Sequence, residues 1–567
     1  MTDDSTGYGF IAEGRAALRA GDPETAERSF RAALTAAPHD AERLYWLASA
    51  LIAAGKAAAA EETLAQACTL HAIEALQGIG LDIGALQSDP AYAAEAGGQL
   101  YDARLPALAN AAIAQAMSKG QITPELLLLY GLSFQHQGRA KEALGMFQAG
   151  VDVFPSAAMH EYLLYALFWV EDGCRRYAEE ARRWAQRWAP AVVARPELRP
   201  VGARLRIGYV APSFSRSQLR QFVMPVLDAH DPAAVALHLY SADAAAEEGL
   251  PAHARVRSIG GLPDSEAAAL IRADELHLLI DLWGHTSGSR LPMFTHRPAP
   301  VQAGFVNFNQ TTGMECIDYV LHPDSMAAPG SDALFIETVW RLGPITVPFL
   351  PQAGRPPVAP SPARRNGYVT FGSFNHPAKL SAQTVKGWAA ILDALPTARL
   401  ILKYSYYTDP VVQRATLARF AAHGVEPERI EFRGHTTGDA YLAEFADIDL
   451  ALDPSPCTGG TTTCEALSNG VPVLTLKGPD FYSRIGLQCL YGVDAPELIA
   501  EDWDDYRGIA LRTVADLDRL DALRHHVRDR FENGLYGDFT GFTRSLERQY
   551  RQMIEAVRDR MALKASA

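Results

Sequence analysis

The chain has 567 residues, 48% of them hydrophobic and 21% charged, with a net charge of −14 and a pI near 5.6. One core cannot serve that length, so roughly three to four units are expected. The acidic balance and the lack of a basic stripe with interleaved aromatics exclude a nucleic-acid partner, and no apolar run is long enough to span a membrane.

The opening MTDDSTGYGF has neither the basic flank nor the apolar run of a signal peptide. Cys68, Cys174, Cys316, Cys457, Cys464 and Cys489 are scattered without CxxC spacing, so neither a zinc site nor a disulfide framework is expected and a reducing cytoplasm fits.

Residues 7–190 repeat at 34-residue spacing, which predicts tetratricopeptide units, each a pair of antiparallel helices. Gly14, Ala17, Ala26, Phe30, Ala33 and Pro38 mark the first unit; Leu44 to Ala67 carry the second. The third is the clearest, with Gly131, Phe134, Gly138, Ala143, Phe147 and Pro155 in register, and a degenerate fourth runs from Tyr162 to Pro190. Residues 73–123 keep helical composition but lose the register and are expected to form one irregular pair. Residues 1–195 are thus an α-solenoid whose groove suits an extended polypeptide. Its apolar positions also allow a homodimer.

The pattern then changes to short apolar strands separated by helices. Leu205–Val210, Ala236–Tyr240, Leu276–Leu282, Val301–Phe305 and Tyr319–Leu321 are expected strands of a doubly wound parallel sheet, residues 204–350. The Pro-rich stretch 351–367 reads as a linker. A second set, Val369–Phe374, Ala398–Lys403, Ile430–Phe432, Ile448–Leu452 and Val471–Leu476, belongs to a second half at 368–540, and 541–567 is expected to be a closing helix. Two such halves facing one cleft make a GT-B architecture, with ligand at the carboxyl ends of the strands.

In the second half, SPCTGGTTTCEAL at 455–467 joins a strand end, a glycine turn and a helix start. Gly459 and Gly460 allow close backbone approach, and Thr461 to Thr463 open a helix whose free N–H groups and dipole favour a phosphate. Glu465, one turn in, is placed to reach a ribose hydroxyl. The alternative is an ordinary strand-to-helix turn with capping threonines.

RPAPVQ at 297–302, TTG at 311–313 before Ile317-Asp318-Tyr319, GHTSGSR at 284–290, FNHPAKL at 374–380, GVPVLTL at 470–476 and SRIG at 483–486 occur in order with these units. Together they resemble the O-GlcNAc transferase family across nearly the whole chain. The resemblance implies that Lys379, Thr461 and Thr462 contact the nucleotide diphosphate and that Glu465 replaces an aspartate holding the ribose. His376, Thr436, Tyr441 and Gly460 fall on the nucleotide side, where His376 replaces a glutamine, Gly460 a histidine, and Tyr441 a histidine near the base. Gln310, Thr311, Thr312 and Gly313 fall on the expected sugar pocket, and the polar Asn309-Gln310 departs from the family's aromatic-Pro-small pattern. Where the family carries two histidines, four apart, this chain has Ser217 and Gln221, so that general-base assignment does not transfer.

His285, His376 and His435 follow expected strands and face the cleft by topology, although each also reads as a structural histidine. Lys379 leads the catalytic candidates, followed by His285 and Asp318; Asp318 alternatively caps a turn. The expected function is inverting protein O-glycosylation from a nucleotide sugar, with UDP-GlcNAc as default donor and no metal or other cofactor. Two alternatives stand beside it: a flagellin-modifying enzyme using a CMP-nonulosonic acid, and a non-catalytic scaffold with a regulatory nucleotide-sugar site.

Overall fold

The computed structural model describes residues 5–215, 218–306 and 310–566. Helices fill the chain to Trp188 and pair as the repeat predicts: Ser5–Arg19 with Pro23–Ala36, Ala41–Ala53 with Ala57–Gly78, and Pro124–His136 with Ala140–Val153. Asp22, Asp40, Thr123 and Ser156 start their helices by accepting the backbone N–H three residues on. A wedge closes the first and third of these pairs. A Cβ on Gly14 would lie 2.5 Å from the Phe30 ring, and one on Gly131 2.6 Å from the Phe147 ring.

The stretch without register is more than one pair. The helix Ala57–Gly78 runs on past its unit, a short helix Ile83–Ser88 follows, and then Pro90–Asp102 packs on Pro106–Ser118. That pair repeats the wedge with an aliphatic side chain, since a Cβ on Gly97 would meet Ile113 Cγ1 at 2.5 Å. The final unit is Ala157–Ala166, a 3-10 turn Leu167–Trp169, and Gly173–Trp188.

Two all-parallel sheets follow. The first contains β1 (Leu205–Val210), β2 (Val235–Ser241), β3 (Arg255–Ser258), β4 (Leu278–Asp281), β5 (Val301–Gly304), β6 (Tyr319–His322) and β7 (Thr338–Arg341), in the order β3-β2-β1-β4-β5-β6-β7. The second contains β8 (Thr370–Ser373), β9 (Arg399–Lys403), β10 (Ile430–Arg433), β11 (Leu450–Leu452), β12 (Val473–Leu476) and β13 (Ile499–Ala500), in the order β10-β9-β8-β11-β12-β13. The central strands are buried on both faces, as parallel sheets covered by helices require. In each sheet the order reverses once, between β1 and β4 and between β8 and β11, and these reversals open a crevice at the carboxyl strand ends.

Residues 351–367 are anchored rather than free. Asp449 accepts from Ser361 Oγ, from the Ala363 N–H at 3.1 Å and from the Thr370 N–H at 2.7 Å, tying the segment to the second sheet. The last helix, Phe539–Ser566, returns to the first half. Its stripe of Leu546, Tyr550, Met553, Ile554 and Val557 packs in the core of β1, and Tyr550 and Tyr209 share a hydrogen bond of 2.9 Å.

The repeats are docked on the second half through the helix Pro410–Ala421. Asp409 caps that helix by accepting from the Val411 N–H and also accepts from the Ala107 N–H at 2.8 Å. Arg414 grips Glu42 with two hydrogen bonds of 2.6 Å and lies over the Tyr45 and Trp46 rings. Among the described residues no helix is long and apolar enough to cross a membrane.

Candidate functional site

A cavity of about 720 Å³ opens where the reversal points of both sheets face each other and the last repeat. Its walls come from the segments after β1 (Gln218, Leu219, Phe222), β4 (Leu282, Trp283 and His285 to Ser287), β8 (Asn375, His376, Lys379) and β11 (Cys457, Thr458 and Gly460 to Thr462). The repeats add Glu161, Tyr165, Phe168 and Trp169. This size suits a nucleotide sugar.

Lys379 sits in the 3-10 turn Pro377–Lys379 after β8, and its Nζ donates to Thr458 O at 2.8 Å. It is the one lysine or arginine among the described residues lining the cleft. Three residues beyond Thr458, the helix Thr461–Ser468 begins after Gly460 without any side-chain cap, so its first N–H groups and positive dipole end remain for an anion. Thr462 Oγ1 donates to Asn375 Oδ1 at 3.1 Å and bridges the β8 and β11 loops.

The turn beneath is pinned by a residue that motif reading passed over. Asp453, at the end of β11, is 1% exposed and accepts from the Gly459 N–H at 2.6 Å and from Thr475 Oγ1 at 2.8 Å. Burial pushes its carboxyl up to about 7 against the pull of those donors. A Cβ on Gly459 would lie 2.3 Å from Thr463 Oγ1 and 2.8 Å from Asp453, so the close approach glycine permits here is internal to the loop. Gly460 has open room by comparison, 3.4 Å from Ile485.

His376 lines the cleft and anchors it to the repeats. The Ala378 N–H donates to His376 Nδ1 at 3.0 Å, so the proton of the neutral ring sits on Nε2. That N–H donates to His136 Nδ1 at 2.9 Å, and His136 Nε2 in turn donates to Tyr101 Oη at 2.9 Å. Burial holds both rings neutral: His136 falls to about 3, and His376 falls well below its ordinary value through burial, then His136 and Lys379. Trp169 stacks on His376, with ring centroids 5.5 Å apart.

His285 also lies on the cleft wall, but its ring is turned into protein. Its Nε2–H donates to Thr312 O at 2.8 Å, Trp184 packs edge-on at 4.5 Å, and Nδ1 is buried without a partner among the described residues. Burial lowers its pKa to about 4.

Other candidates lie elsewhere. Asp318 is held at the start of β6 by Arg195 (2.5 Å), by Arg297 (3.4 Å) and by the Gln302 N–H (3.0 Å), an ion cluster joining the repeat junction to the first sheet. It does not line the cleft, because its carboxylate is consumed in that junction. The loop Gln310 to Gly313 supports the last repeat helix and does not line the cavity. Gln310 Nε2 donates to Cys174 Sγ at 3.2 Å, Thr311 Oγ1 to Glu337 at 2.6 Å, and the Thr312 N–H to the same carboxylate at 2.6 Å. Gly313, at φ +71°, faces Ala181 so closely that a Cβ would lie 2.4 Å from its carbonyl.

On the second half, Thr436 accepts from Lys403 Nζ at 2.8 Å and donates to Glu444 at 2.6 Å; Tyr441 Oη donates to Glu465 Oε2 at 2.6 Å. These pairs flank the helix Thr461–Ser468 without entering the cavity wall. Burial raises the Glu465 carboxyl and the Tyr441 bond lowers it. His435 is exposed, and Gln221 gives its carbonyl to the Leu350 N–H at 2.8 Å. Ser217 and Asn309 lie outside the described residues. Among the described residues no group of His, Cys, Asp and Glu could hold a metal ion.

The sequence model of glycosyl transferase family 41 matches residues 189–335 and 364–546, and a tetratricopeptide repeat model matches 17–67. The chain is 31% identical over 412 residues to a probable UDP-N-acetylglucosamine–peptide N-acetylglucosaminyltransferase, SPINDLY, of Hordeum vulgare, covering 69% of this chain and 43% of that one. It is 34% identical over 360 residues to the SPINDLY protein of Petunia hybrida, covering 62% and 38%. The chain therefore spans about two fifths of the length of these relatives. A lysine-to-methionine mutant of the Thermobaculum terrenum O-GlcNAc transferase superposes with a TM-score of 0.75 at 29% identity, covering 98% of this chain and 99% of that one.

Proposed function

Because the chain belongs to glycosyl transferase family 41, we propose that it moves a sugar from a nucleotide diphosphate to a serine or threonine of a polypeptide, with UDP-GlcNAc as default donor. One observation carries this reading: Lys379, Thr461 and Thr462 surround a common hollow at the facing reversal points of the two sheets, and the last repeat closes that hollow. The diphosphate lies against the uncapped helix start and Lys379, whose charge offsets that of the departing phosphate. No metal is required in this scheme. The repeats bring the polypeptide to the open side, as solenoids present extended segments.

The peptide N-acetylglucosaminyltransferase names of the relatives support a protein acceptor and a UDP-GlcNAc donor; the alternative using a CMP-nonulosonic acid on flagellin gains no support from them. Six free cysteines, all buried, favour a reducing compartment. The test is thermal stability with UDP-, GDP- and CMP-sugars, since a ligand of the folded state raises the melting temperature by mass action. UDP-GlcNAc should stabilise the protein and add sugar mass to an acceptor peptide. Stabilisation by a CMP-sugar alone would overturn the donor assignment.

A further inference from the structure

Where the family resemblance implies a histidine pair this chain carries Ser217 and Gln221, and neither serves as a base for the proton leaving the attacking hydroxyl. The cleft narrows the choice. His376 has both nitrogens committed, Nδ1 to the Ala378 N–H and Nε2 to His136. His285 donates from Nε2, and its Nδ1 is sealed from the cavity. Lys379 is the cation of the site. The cysteines Cys457 and Cys464 and the phenols Tyr165, Tyr404 and Tyr482 are all pushed up by burial and cannot ionise near neutral pH.

One carboxylate remains among the described lining residues. Glu161 stands on the helix Ala157–Ala166 of the last repeat, 8% exposed, and lines the cavity from the repeat side, whereas Thr461 and Thr462 line it from the second half. Among the described residues its carboxylate has no hydrogen bond and no ion pair. We propose that Glu161 is the general base of the transfer, an inference that rests on the glycosyl-transfer reading. The serine or threonine oxygen attacks the anomeric carbon and forms the new C–O bond. The bond from that carbon to the phosphate oxygen breaks, its electron pair leaves with the nucleotide diphosphate beside Lys379, and the hydroxyl proton passes to a Glu161 oxygen. The charges balance, with one carboxylate neutralised as one phosphate charge is gained.

The setting tunes this carboxyl for the task. The titratable groups facing it are Asp281 from β4, Tyr177 from the helix Gly173–Trp188 and His285 from the loop after β4. Its neighbours His160 and Tyr165 share its helix, and Lys379 lies across the cavity. Asp281 ionises first, at about 6, because the Gly284 and Trp283 N–H groups counter part of its burial. Glu161 then loses its proton against both burial and that existing charge, near 8. A base poised close to neutrality is the efficient one.

The test uses the full chain with UDP-GlcNAc and an arrayed library of Ser/Thr-containing peptides, read by mass, with UDP binding followed by calorimetry. Glu161→Gln should lower kcat by about 10²–10⁴-fold and leave UDP affinity unchanged. It should also abolish the rise of kcat/KM with pH that ends near 8 in the wild-type chain. Glu161→Asp should restore part of the rate and a pH-dependent limb. A Glu161→Gln variant with wild-type kcat and pH profile, or one changed only in peptide KM, overturns the proposal and leaves the transfer reading intact. A wild-type chain that transfers nothing from UDP-, GDP- or CMP-sugars overturns both.

Discussion

Lys379→Met removes the cleft's cation while retaining most of its stem. The lost contact within the protein is one hydrogen bond from Nζ to Thr458 O, 2.8 Å long. Such a bond is worth about 1 kcal/mol net, and the methylene packing survives, so the melting temperature should fall only slightly. The catalytic loss is larger because no second lysine or arginine among the described residues lines the cavity. Two opposite charges 4 Å apart at an effective dielectric of 20 attract by about 4 kcal/mol. Only the part that grows as the phosphate departs affects kcat; removing one preorganised charge-stabilising group typically costs about 10²–10³-fold. The helix start remains and keeps the loss finite. The assay is intact-mass analysis of a peptide acceptor over time, paired with a melting curve of the variant. Sugar transfer at the wild-type rate by a folded Lys379→Met protein would show that Lys379 does not stabilise the leaving phosphate.

Asp318→Asn should leave Arg195 and Arg297 facing an amide, costing about 3 kcal/mol of stability while kcat per folded molecule stays unchanged; melting curves and transfer rates together check this. Gly131→Ala forces a Cβ to within 2.6 Å of the Phe147 ring and should cost about 1–3 kcal/mol, read as a lower melting temperature with donor affinity retained. His136→Phe keeps a ring beside Tyr406 but strands the buried His376 N–H, costing about 1–3 kcal/mol and weakening UDP binding in calorimetry, because His376 opens the turn that carries Lys379. Glu161 also predicts a pH dependence of stability. Its carboxyl holds a proton in the folded state up to about 8 but loses it near 4.5 when unfolded, so the wild-type chain loses stability as pH rises through that window. Glu161→Gln should therefore gain in melting temperature relative to wild type from pH 5 to 8, and the difference should level off above.

The architecture was legible because the repeat wedges and the buried parallel strands are written as local patterns. Gly14 with Phe30 and Gly131 with Phe147 stood out by their shared spacing, and Gly97 with Ile113 has the same spacing but was hidden by its aliphatic wedge. β3 and β7 were missed for a different reason: RVRS and TVWR sit at sheet edges, half-exposed, without the apolar run that marks a central strand. Lys379, Thr461 and Thr462, given by the family resemblance, line the cavity because they follow strands at the reversal points. Asp318 and the 310–313 loop sit in equally motif-like strings, yet Asp318 and Gln310 are spent on Arg195 and Cys174 of the repeat side, and Thr311 and Thr312 on Glu337 within the first half. Nothing local distinguishes those two uses. Glu161 and Trp169 could not be found from motifs, since they reach the cleft only through docking of the last repeat.

The most direct test is a structure of the chain with UDP-GlcNAc bound. The β-phosphate should lie within about 2.7–3.2 Å of Lys379 Nζ and of the first N–H groups of the helix Thr461–Ser468, with the sugar directed toward Glu161. A nucleotide bound outside this cleft, or bound within it with Lys379 still turned to Thr458 and away from the phosphates, would contradict that placement.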